Sequence, residues 1–391
     1  MKHLILLSLA ISFMTLSLPV HAKTLRVATF NVSMEATNYL AAGEQASGLE
    51  LFTQLENGKN PQIRNIAEII QRLRPDIILL NEFDYHANPD KGLKAFIKHY
   101  LKVPQHKETL GIDYPYFYTA PVNTGVNSGL DLDKDGIASG KGGDAFGFGL
   151  FPGHYGMALL SKYPIDMASI RTFQHFLWKD MPGGLLDSIK DESGQPWYAK
   201  PAKNIFRLSS KSHWDLPIQI GDKRVHILAS HPTPPVFDGR EDRNGKRNHD
   251  EVRFWLDYIT GHDAASYIYD DNKQRGGLGD MPFVIVGDLN SSPDEGDAHK
   301  GAISALLEHS LINKAIKPSS VGATHHRSNN AQAAFHTADW GMRADYVLPS
   351  INLQAIDGGV FWPAKQQATH RLVEDRSLSS DHRLVWVDIQ L

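Results

Sequence analysis

The sequence contains no cysteine in its 391 residues. This absence excludes disulfide bonds, zinc–thiolate sites and cysteine nucleophiles. The fold must therefore be held together by packing, and a chain of this length can bury a large enough core. No internal repeat is visible in the sequence either.

Strong charge of either sign is also lacking. The formal net charge is −4, and the sequence pI is about 6.5. This balance argues against general binding of nucleic acid, although it leaves room for a local basic patch. After residue 22, no segment is apolar over the length that a bilayer requires, so the mature chain is predicted without stable membrane insertion.

The start of the chain has the pattern of a secretory signal peptide. Lys2 and His3 form a short polar start before the mostly apolar stretch Leu4–Val20. A small-residue cleavage pattern follows and ends at Ala22. An uncleaved anchor helix is the alternative. We therefore predict an exported protein, periplasmic or secreted, whose residues 23–391 form one domain, and we expect a monomer.

Apolar periodicity predicts helices and strands in mixed order, which indicates an α/β fold. Asn60 as N-cap and Pro61 as first residue predict a helix that ends before Pro75. Asn248 and Glu251 have the spacing of a capping box and predict the start of another helix. Strands are predicted at TLRVATFNV, DIILL, MALLS, DLPIQI, KRVHILAS, PFVIVGD, ADYVLPS and DHRLVWVDIQL.

Residues 121–156 are rich in Gly, Asp and Asn and predict a long loop that is either functional or disordered. Within it, DLDKDG (Asp131–Gly136) copies the start of a helix–loop–helix calcium loop, but Gly142 stands where that motif requires Glu. Another calcium geometry and a plain Asp/Gly turn both stay open. His154, at the end of the loop, is either a substrate contact or a partly exposed loop histidine.

Polar side chains recur where apolar runs end or begin. They are Asn31, Glu82, His231, Asp288, Asn290, Asp345, Asp381 and His382. Each is ordinary by itself, because these residue types often end strands. Together they share one chemical character, and strand ends on one side of a layered α/β fold form a common surface where functional groups collect.

The chemistry of this set is consistent. Carboxylates with an amide oxygen suit a hard cation such as Mg²⁺ or Ca²⁺. Two imidazoles can donate to a phosphoryl oxygen or exchange protons near neutral pH. An Asp can align an imidazole and favour its protonated form. These groups fit metal-assisted hydrolysis of a phosphate ester.

The order and wording of the motifs resemble the endonuclease/exonuclease/phosphatase superfamily, which includes deoxyribonucleases, sphingomyelinases and inositol polyphosphate phosphatases. The matching pieces are TFN, NEFD, GMALLSKYPI, ASH, VGDLNSSP, ADYVL and SDHRLV. They span Thr24–Leu391, and GDLN with a downstream SDH is a specific signal. The resemblance implies a four-layer α/β sandwich, with two mixed β-sheets packed face to face and flanked by helices.

The resemblance also implies roles for individual residues. Glu82 would hold the metal, helped by Asn31 and Asp381. The expected cofactor is Mg²⁺, with Mn²⁺ and Ca²⁺ as alternatives. Abasic-site endonucleases carry a carboxylate where this chain has Ser33 and an asparagine where it has His231, so the resemblance does not extend to apurinic repair.

The same resemblance places the remaining groups around the substrate phosphate. Asp288 would orient or deprotonate the attacking water, and Asn290 would hold the phosphate or that water. His382 would contact the scissile phosphate with Asp345 as its carboxylate partner, and His231 would be the second imidazole. Asp288 and Asn290, two residues apart, are expected on one face of a strand.

Three functions stay open from the sequence. The first is an exported metal-dependent phosphoesterase that acts on phosphodiesters, including DNA or RNA as an endonuclease. The second is a phosphatase or phospholipase that acts on lipid or sugar phosphates. The third is an inactive relative that binds calcium or a partner. A basic stretch after His231, Arg240–Arg253, could contact the phosphates of a polyanion, or could be a solvated loop.

Overall fold

The computed structural model describes residues 23–391, and the predicted signal peptide lies outside the described residues. The strands are β1 (Thr24–Met34), β2 (Ile77–Phe83), β3 (Tyr116–Tyr118), β4 (Met157–Ser161), β5 (Arg171–Thr172), β6 (His213–Ile220), β7 (Lys223–Ser230), β8 (Phe283–Asp288), β9 (Asp345–Pro349), β10 (Gln354–Val360) and β11 (Val385–Gln390). The helices are α1 (Glu50–Leu55), α2 (Pro61–Leu73), α3 (Leu93–Phe96), α4 (Lys200–Ile205), α5 (Arg243–Thr260), α6 (Lys300–Glu308) and α7 (Val321–His326).

The strands form two mixed sheets that pack face to face. One sheet has the order β10-β11-β1-β2-β4-β3, and the other has the order β5-β6-β7-β8-β9. The pairs β1–β2 and β7–β8 are parallel, and the other pairs are antiparallel. With helices on the outer faces, this confirms the predicted α/β sandwich. Because each parallel pair brings two carboxyl ends to one edge, the ends of β1, β2, β7 and β8 can meet.

Successive apolar side chains point to alternate faces of the β5-β6-β7-β8-β9 sheet, so that a core forms on each face. In β7, Ile227 and Ala229 join the core between the two sheets, whereas Leu228 joins the core beneath α5. In β8, Ile285 lies on the same side as Leu228. This period of two follows from the strand pleat.

The helix α2 begins and ends as the sequence predicts. Asn60 Oδ1 accepts a hydrogen bond from the backbone N–H of Ile63 at 3.1 Å, and Pro61 is the first helical residue. Arg74 closes the helix in a left-handed conformation with φ of 50°. The helix lies next to the β2 strand that carries Glu82, so its caps help to fix where that strand begins.

The predicted start of α5 at Asn248 is wrong. The helix begins at Arg243, after Asp242 in a left-handed conformation that makes no side-chain cap. Asn248 and Glu251 lie inside the helix, and their buried side chains bind backbone groups of neighbouring loops. The same spacing occurs in helix interiors, so the pattern alone could not separate a cap from a buried polar pair.

The long loop 121–156 is ordered by isolated bridges and by buried side chains. Thr124 pairs with Gly147, and Leu132 and Phe146 belong to the core beneath α5. The edge strands β3, β5 and β10 are not predicted by the sequence, because they are short or, in β10, contain two glycines. In the part of the chain that the structure describes, no helix combines the length and apolar character of a membrane span.

Candidate active site

Asp288, the last residue of β8, is the centre of the site. Its Oδ2 accepts a hydrogen bond from Asn31 Nδ2 at 3.1 Å. The same oxygen lies 3.4 Å from His231 Nε2 and 3.6 Å from His382 Nε2. The backbone N–H of Asp288 donates to Asn81 Oδ1 at 3.1 Å, which fixes the strand end. One buried carboxylate thus meets side chains from three separate segments.

Glu82, near the end of β2, is the second acidic group of the site. Its φ of 56° lies in the left-handed region, which is unfavourable for a residue with a Cβ. The pKa of Glu82 is raised to about 7, mainly by desolvation; the charges of Asp381 and Asp288 also raise it, while the charge of His382 and a hydrogen bond from Asn31 lower it. A half-buried carboxylate close to two other carboxylates is a place where a cation is favourable.

Asp381 borders the same region from the segment before β11. Its Oδ1 accepts a hydrogen bond from Ser33 Oγ at 3.1 Å, and its Oδ2 pairs with Arg376 at 2.8 Å. The Asn31 amide oxygen accepts the Ser33 N–H at 3.2 Å and keeps one lone pair for another partner. The donor chemistry therefore fits a hard divalent ion held by Glu82, Asp381 and Asn31. The ligand role of each stays a prediction.

His382 carries a well-formed carboxylate partner. Its Nδ1–H donates to Asp345 Oδ2 at 2.9 Å, and Thr337 Oγ1 donates to the same oxygen at 2.7 Å. Burial lowers the pKa of His382, but the charges of Asp345 and Asp288 outweigh this effect and hold the pKa well above its ordinary value. His382 is therefore an imidazolium whose Nε2–H is free to donate.

Asp288, Asp345 and His382 are also close enough to share a metal. The short bond between His382 Nδ1 and Asp345 favours a proton there instead. Burial opposes ionisation of Asp288, yet the charge of His382 and the proximity of His231 outweigh it and hold the pKa of Asp288 below its ordinary value. Asp288 is thus an ionised carboxylate with little basicity.

His231 has the opposite environment. It is buried, and within residues 23–391 neither ring nitrogen makes an aligned hydrogen bond. The pKa of His231 is lowered to about 4, mainly by burial and then by the charge of Lys211, although Asp288 acts in the opposite direction. His231 is therefore a neutral imidazole at neutral pH, with both nitrogens available to a ligand or water.

Asn290 lies in the site but not on the strand. The strand β8 ends at Asp288, and Asn290 follows in a left-handed turn with φ of 50°. Its N–H donates to Asp288 Oδ1 at 3.0 Å, and its Nδ2 donates to the Pro232 carbonyl at 3.2 Å. The prediction that Asp288 and Asn290 share one face of a strand is wrong, because the turn after β8, and not the strand pleat, brings the two residues together.

The structure also corrects the two readings of His154. The residue is fully buried. Its Nε2–H donates to Glu35 at 2.8 Å, and its Nδ1 accepts the Leu150 N–H at 3.2 Å. Both nitrogens are satisfied by the protein, so His154 is neither exposed nor free to contact a substrate.

The basic stretch is largely used for structure. Arg247 is buried and donates to the backbone carbonyls of Leu208 and Phe146. Arg253 donates to the Pro182 carbonyl. These arginines hold loops in place, so they do not form the continuous phosphate-binding surface that the sequence allows.

The acidic motif in the long loop lies apart from the Asp288 centre. Asp131, Asp133 and Asp144 approach one another closely enough for an ion. Asp144 already accepts hydrogen bonds from the backbone N–H groups of Leu132 and Ser139. A turn held by these bonds explains the cluster, and binding of calcium there stays a prediction.

Two residues near the site have no strand-end signal in the sequence. Lys211 lies in the irregular segment before β6 and is buried beside the charges of Glu82 and Asp288. The indole of Trp340 is 45% exposed, and its ring lies edge-on to His382 with 4.9 Å between ring centroids. In the sequence, the only indication that Trp340 belongs to the site is its position five residues before the strand-end Asp345.

A sequence profile of the Endonuclease/Exonuclease/phosphatase family matches residues 28–382. A search of curated proteins finds no match. Similar solved structures include an endonuclease/exonuclease/phosphatase from Beutenbergia cavernae DSM 12333, at 17% identity, TM-score 0.49, and coverage of 94% of this chain and 72% of that chain.

Two further structures have similar scores. A family protein from Leptotrichia buccalis C-1013-b has 14% identity and a TM-score of 0.48, covering 94% of this chain and 100% of that chain. A beta toxin mutant from Staphylococcus aureus with bound magnesium ions has 16% identity and a TM-score of 0.45, covering 93% and 99%. The profile match extends over most of the sequence, and the chain belongs to the Endonuclease/Exonuclease/phosphatase family.

Proposed function

We propose that the protein is an exported, divalent-metal-dependent phosphoesterase that hydrolyses phosphodiesters. Endonucleases, exonucleases and phosphatases, which the family name describes, all hydrolyse phosphate esters. The observation that carries the proposal is the ionised Asp288 between a charged imidazole, His382, and a neutral one, His231. Glu82 lies beside them as a carboxylate that gains from a cation.

Each protein residue of the site has a separate role in hydrolysis. Asp288 has a depressed pKa, so it orients the attacking water by accepting its hydrogen bond rather than by taking up its proton. The Nε2–H of His382 donates to a phosphoryl oxygen and stabilises the charge that grows on it. Asp345 holds the His382 ring and its Nδ1 proton in place. Asn290 and His231 offer polar contacts to the phosphate or the water.

The metal would be held by Glu82, Asp381 and Asn31. Mg²⁺ suits these oxygen donors, and Mn²⁺ or Ca²⁺ can occupy similar sites. The bound ion supplies Lewis-acid polarisation of the phosphoryl oxygens.

A diester is favoured over a monoester by charge. With Glu82 and Asp381 assigned to the metal, Asp288 is left as a free carboxylate, which repels a dianionic phosphate more strongly than a monoanionic one. Because much of the Arg240–Arg253 stretch is tied to backbone carbonyls, the proposal does not extend to a preference for long nucleic acids. DNA and RNA are therefore compared directly with small and lipid-linked esters in the test.

The test is a substrate panel with Mg²⁺, Mn²⁺, Ca²⁺ and chelator. The panel holds bis-nitrophenyl phosphate, nitrophenyl phosphate, plasmid DNA, RNA, sphingomyelin and inositol phosphates. We expect metal-dependent hydrolysis that favours the diester, that is lost in Asp288→Asn, and that is kept in Asp222→Asn, which alters an exposed carboxylate in the β6–β7 turn. Full activity in excess chelator, or hydrolysis of monoesters alone, would contradict the proposal.

Export is tested separately. The full chain is expressed in a bacterial host, and the cell fractions and culture medium are assayed for the protein. We expect a processed form outside the cytoplasm whose N-terminus is Lys23. An unprocessed protein that begins at Met1 and stays in the cytoplasm would refute the export part alone.

A further inference from the structure

Glu251, in the middle of α5, binds two loops that border the site. It is 1% exposed. Its Oε1 accepts the backbone N–H of Ser210 at 2.6 Å, and its Oε2 accepts the backbone N–H of Thr233 at 2.6 Å. These loops flank the paired ends of β6 and β7, where His213 lies opposite Ser230, and the carboxylate links them beyond the end of the hairpin.

The first loop carries Lys211. Ser209 Oγ–H donates to His213 Nδ1 at 2.6 Å, and His213 Nε2–H donates to the Glu251 backbone carbonyl at 2.9 Å. The Lys211 carbonyl accepts the Asn123 N–H at 2.9 Å. The backbone around Lys211 is therefore held at several points, which is more than a surface turn needs.

The side chain of Lys211 is left without a protein partner. It is 5% exposed, and within the described residues no carboxylate forms an ion pair with its ammonium. The charges that favour the ammonium, in order of their effect, are those of Glu251, Glu82 and Asp288. A buried cation without a hydrogen-bond acceptor is costly unless a ligand supplies one.

The second loop carries His231 and leads to Thr233. The carbonyl of Pro232, between them, accepts Asn290 Nδ2 at 3.2 Å. Because Glu251 holds the Thr233 N–H, it also fixes the peptide that connects His231 to Asn290. Both loops thus present a site residue within one or two positions of the backbone group that Glu251 binds.

We propose that Lys211 contacts a non-bridging oxygen of the substrate phosphoryl group, and that Glu251 is the positioning residue that holds Lys211 and the His231 loop against it. This inference rests on the proposed function. It adds a cation close to His231, besides the imidazolium of His382.

The charges around Lys211 predict how a substitution of Glu251 changes the pKa of Lys211. Burial lowers the pKa of Lys211, and the charge of Glu251 is the largest influence that raises it again. The titratable and charged groups that surround Lys211 are Glu251, Glu82, Asp288, Arg247 and His231. Removing the Glu251 charge lowers the pKa of Lys211 further, so the ammonium is lost at a lower pH.

The experiment compares pH profiles of kcat/KM for bis-nitrophenyl phosphate at saturating Mg²⁺. Lys211→Met should lose about a hundred- to a thousandfold in kcat, as expected for loss of a donor to a charged transition state. Glu251→Gln should lose less, and its alkaline limb should move to lower pH. Lys211→Arg keeps its charge at high pH, so adding Glu251→Gln to it should not move the limb.

Three results would overturn the proposal. The first is a near-normal kcat in Lys211→Met. The second is a Glu251→Gln variant whose kcat/KM decreases while the pH of its alkaline limb stays the same. The third is an alkaline limb that Glu251→Gln moves as far in the Lys211→Arg background as in the wild-type protein. Thermal unfolding checks that each variant is folded, and if Glu251→Gln is not, Lys211→Met and Lys211→Arg still decide the role of Lys211. If the wild-type protein hydrolyses no phosphate ester, the proposed function fails independently of these variants.

Discussion

His382 and His231 both approach Asp288 Oδ2, at 3.6 Å and 3.4 Å, and the two imidazoles differ in their surroundings. His382 donates its Nδ1–H to the buried carboxylate of Asp345. His231 has no aligned protein partner among the described residues, and the cationic Lys211 is its neighbour. The same residue type is therefore held charged in one case and neutral in the other.

The comparison teaches that partners, not burial, decide the charge of these groups. Both imidazoles are buried, and burial alone lowers the pKa of a histidine. Two carboxylates reverse this effect at His382, whereas at His231 one carboxylate is opposed by a lysine. A site with one imidazolium and one neutral imidazole can stabilise negative charge and still offer a hydrogen-bond acceptor.

The largest effect is expected at the residue that both imidazoles approach. Asp288→Asn removes the charge that both imidazoles face, and it replaces a water-orienting carboxylate with an amide. We expect a loss of about a thousandfold in kcat, measured on the preferred diester with folding checked by circular dichroism. A loss below tenfold would remove Asp288 from the centre of the site.

His382 should be the next most sensitive position. His382→Ala removes a charged donor, and such donors typically contribute about a hundred- to a thousandfold in kcat. Asp345→Asn keeps an acceptor for Nδ1–H but removes the charge, so we expect a smaller loss of about ten- to a hundredfold. Equal losses in the two variants would mean that Asp345 does more than hold the ring.

His231 should matter less, because it is neutral. A neutral hydrogen bond contributes about 1 kcal/mol, so His231→Ala should lower kcat about five- to tenfold. The matched comparison is His382→Ala, assayed at the same pH and metal concentration. A His231 variant as impaired as the His382 variant would break the distinction between the two imidazoles.

Metal affinity should show the smallest change. Glu82 has a raised pKa of about 7 and must lose its proton to bind a cation, so affinity rises as the pH passes through that value and levels off above it. Between pH 6.5 and pH 8 we expect Mg²⁺ affinity to increase about fourfold, measured by calorimetry. Glu82→Gln should bind weakly at both pH values, and an unchanged wild-type affinity would contradict the assignment.

The sequence predicts the set of strand-end polar residues because each one ends or begins an apolar run. That rule brings Asn31, Glu82 and Asp288 to one edge through the parallel pairs β1–β2 and β7–β8. It does not find Lys211, which lies between two serines in an irregular segment and reaches the site only through tertiary contacts. It also misplaces Glu251, because the spacing of a helix cap and of a buried loop-binding residue is the same.

The most direct test of the different charge states is nitrogen NMR of the imidazoles in metal-free protein at pH 7. His231→Gln and His382→Gln variants assign the two rings. We predict protons on both nitrogens of His382 and on one nitrogen of His231, with His231 gaining its second proton only near pH 4. A neutral His382 at pH 7, or the same ordinary titration for both rings, would contradict the account.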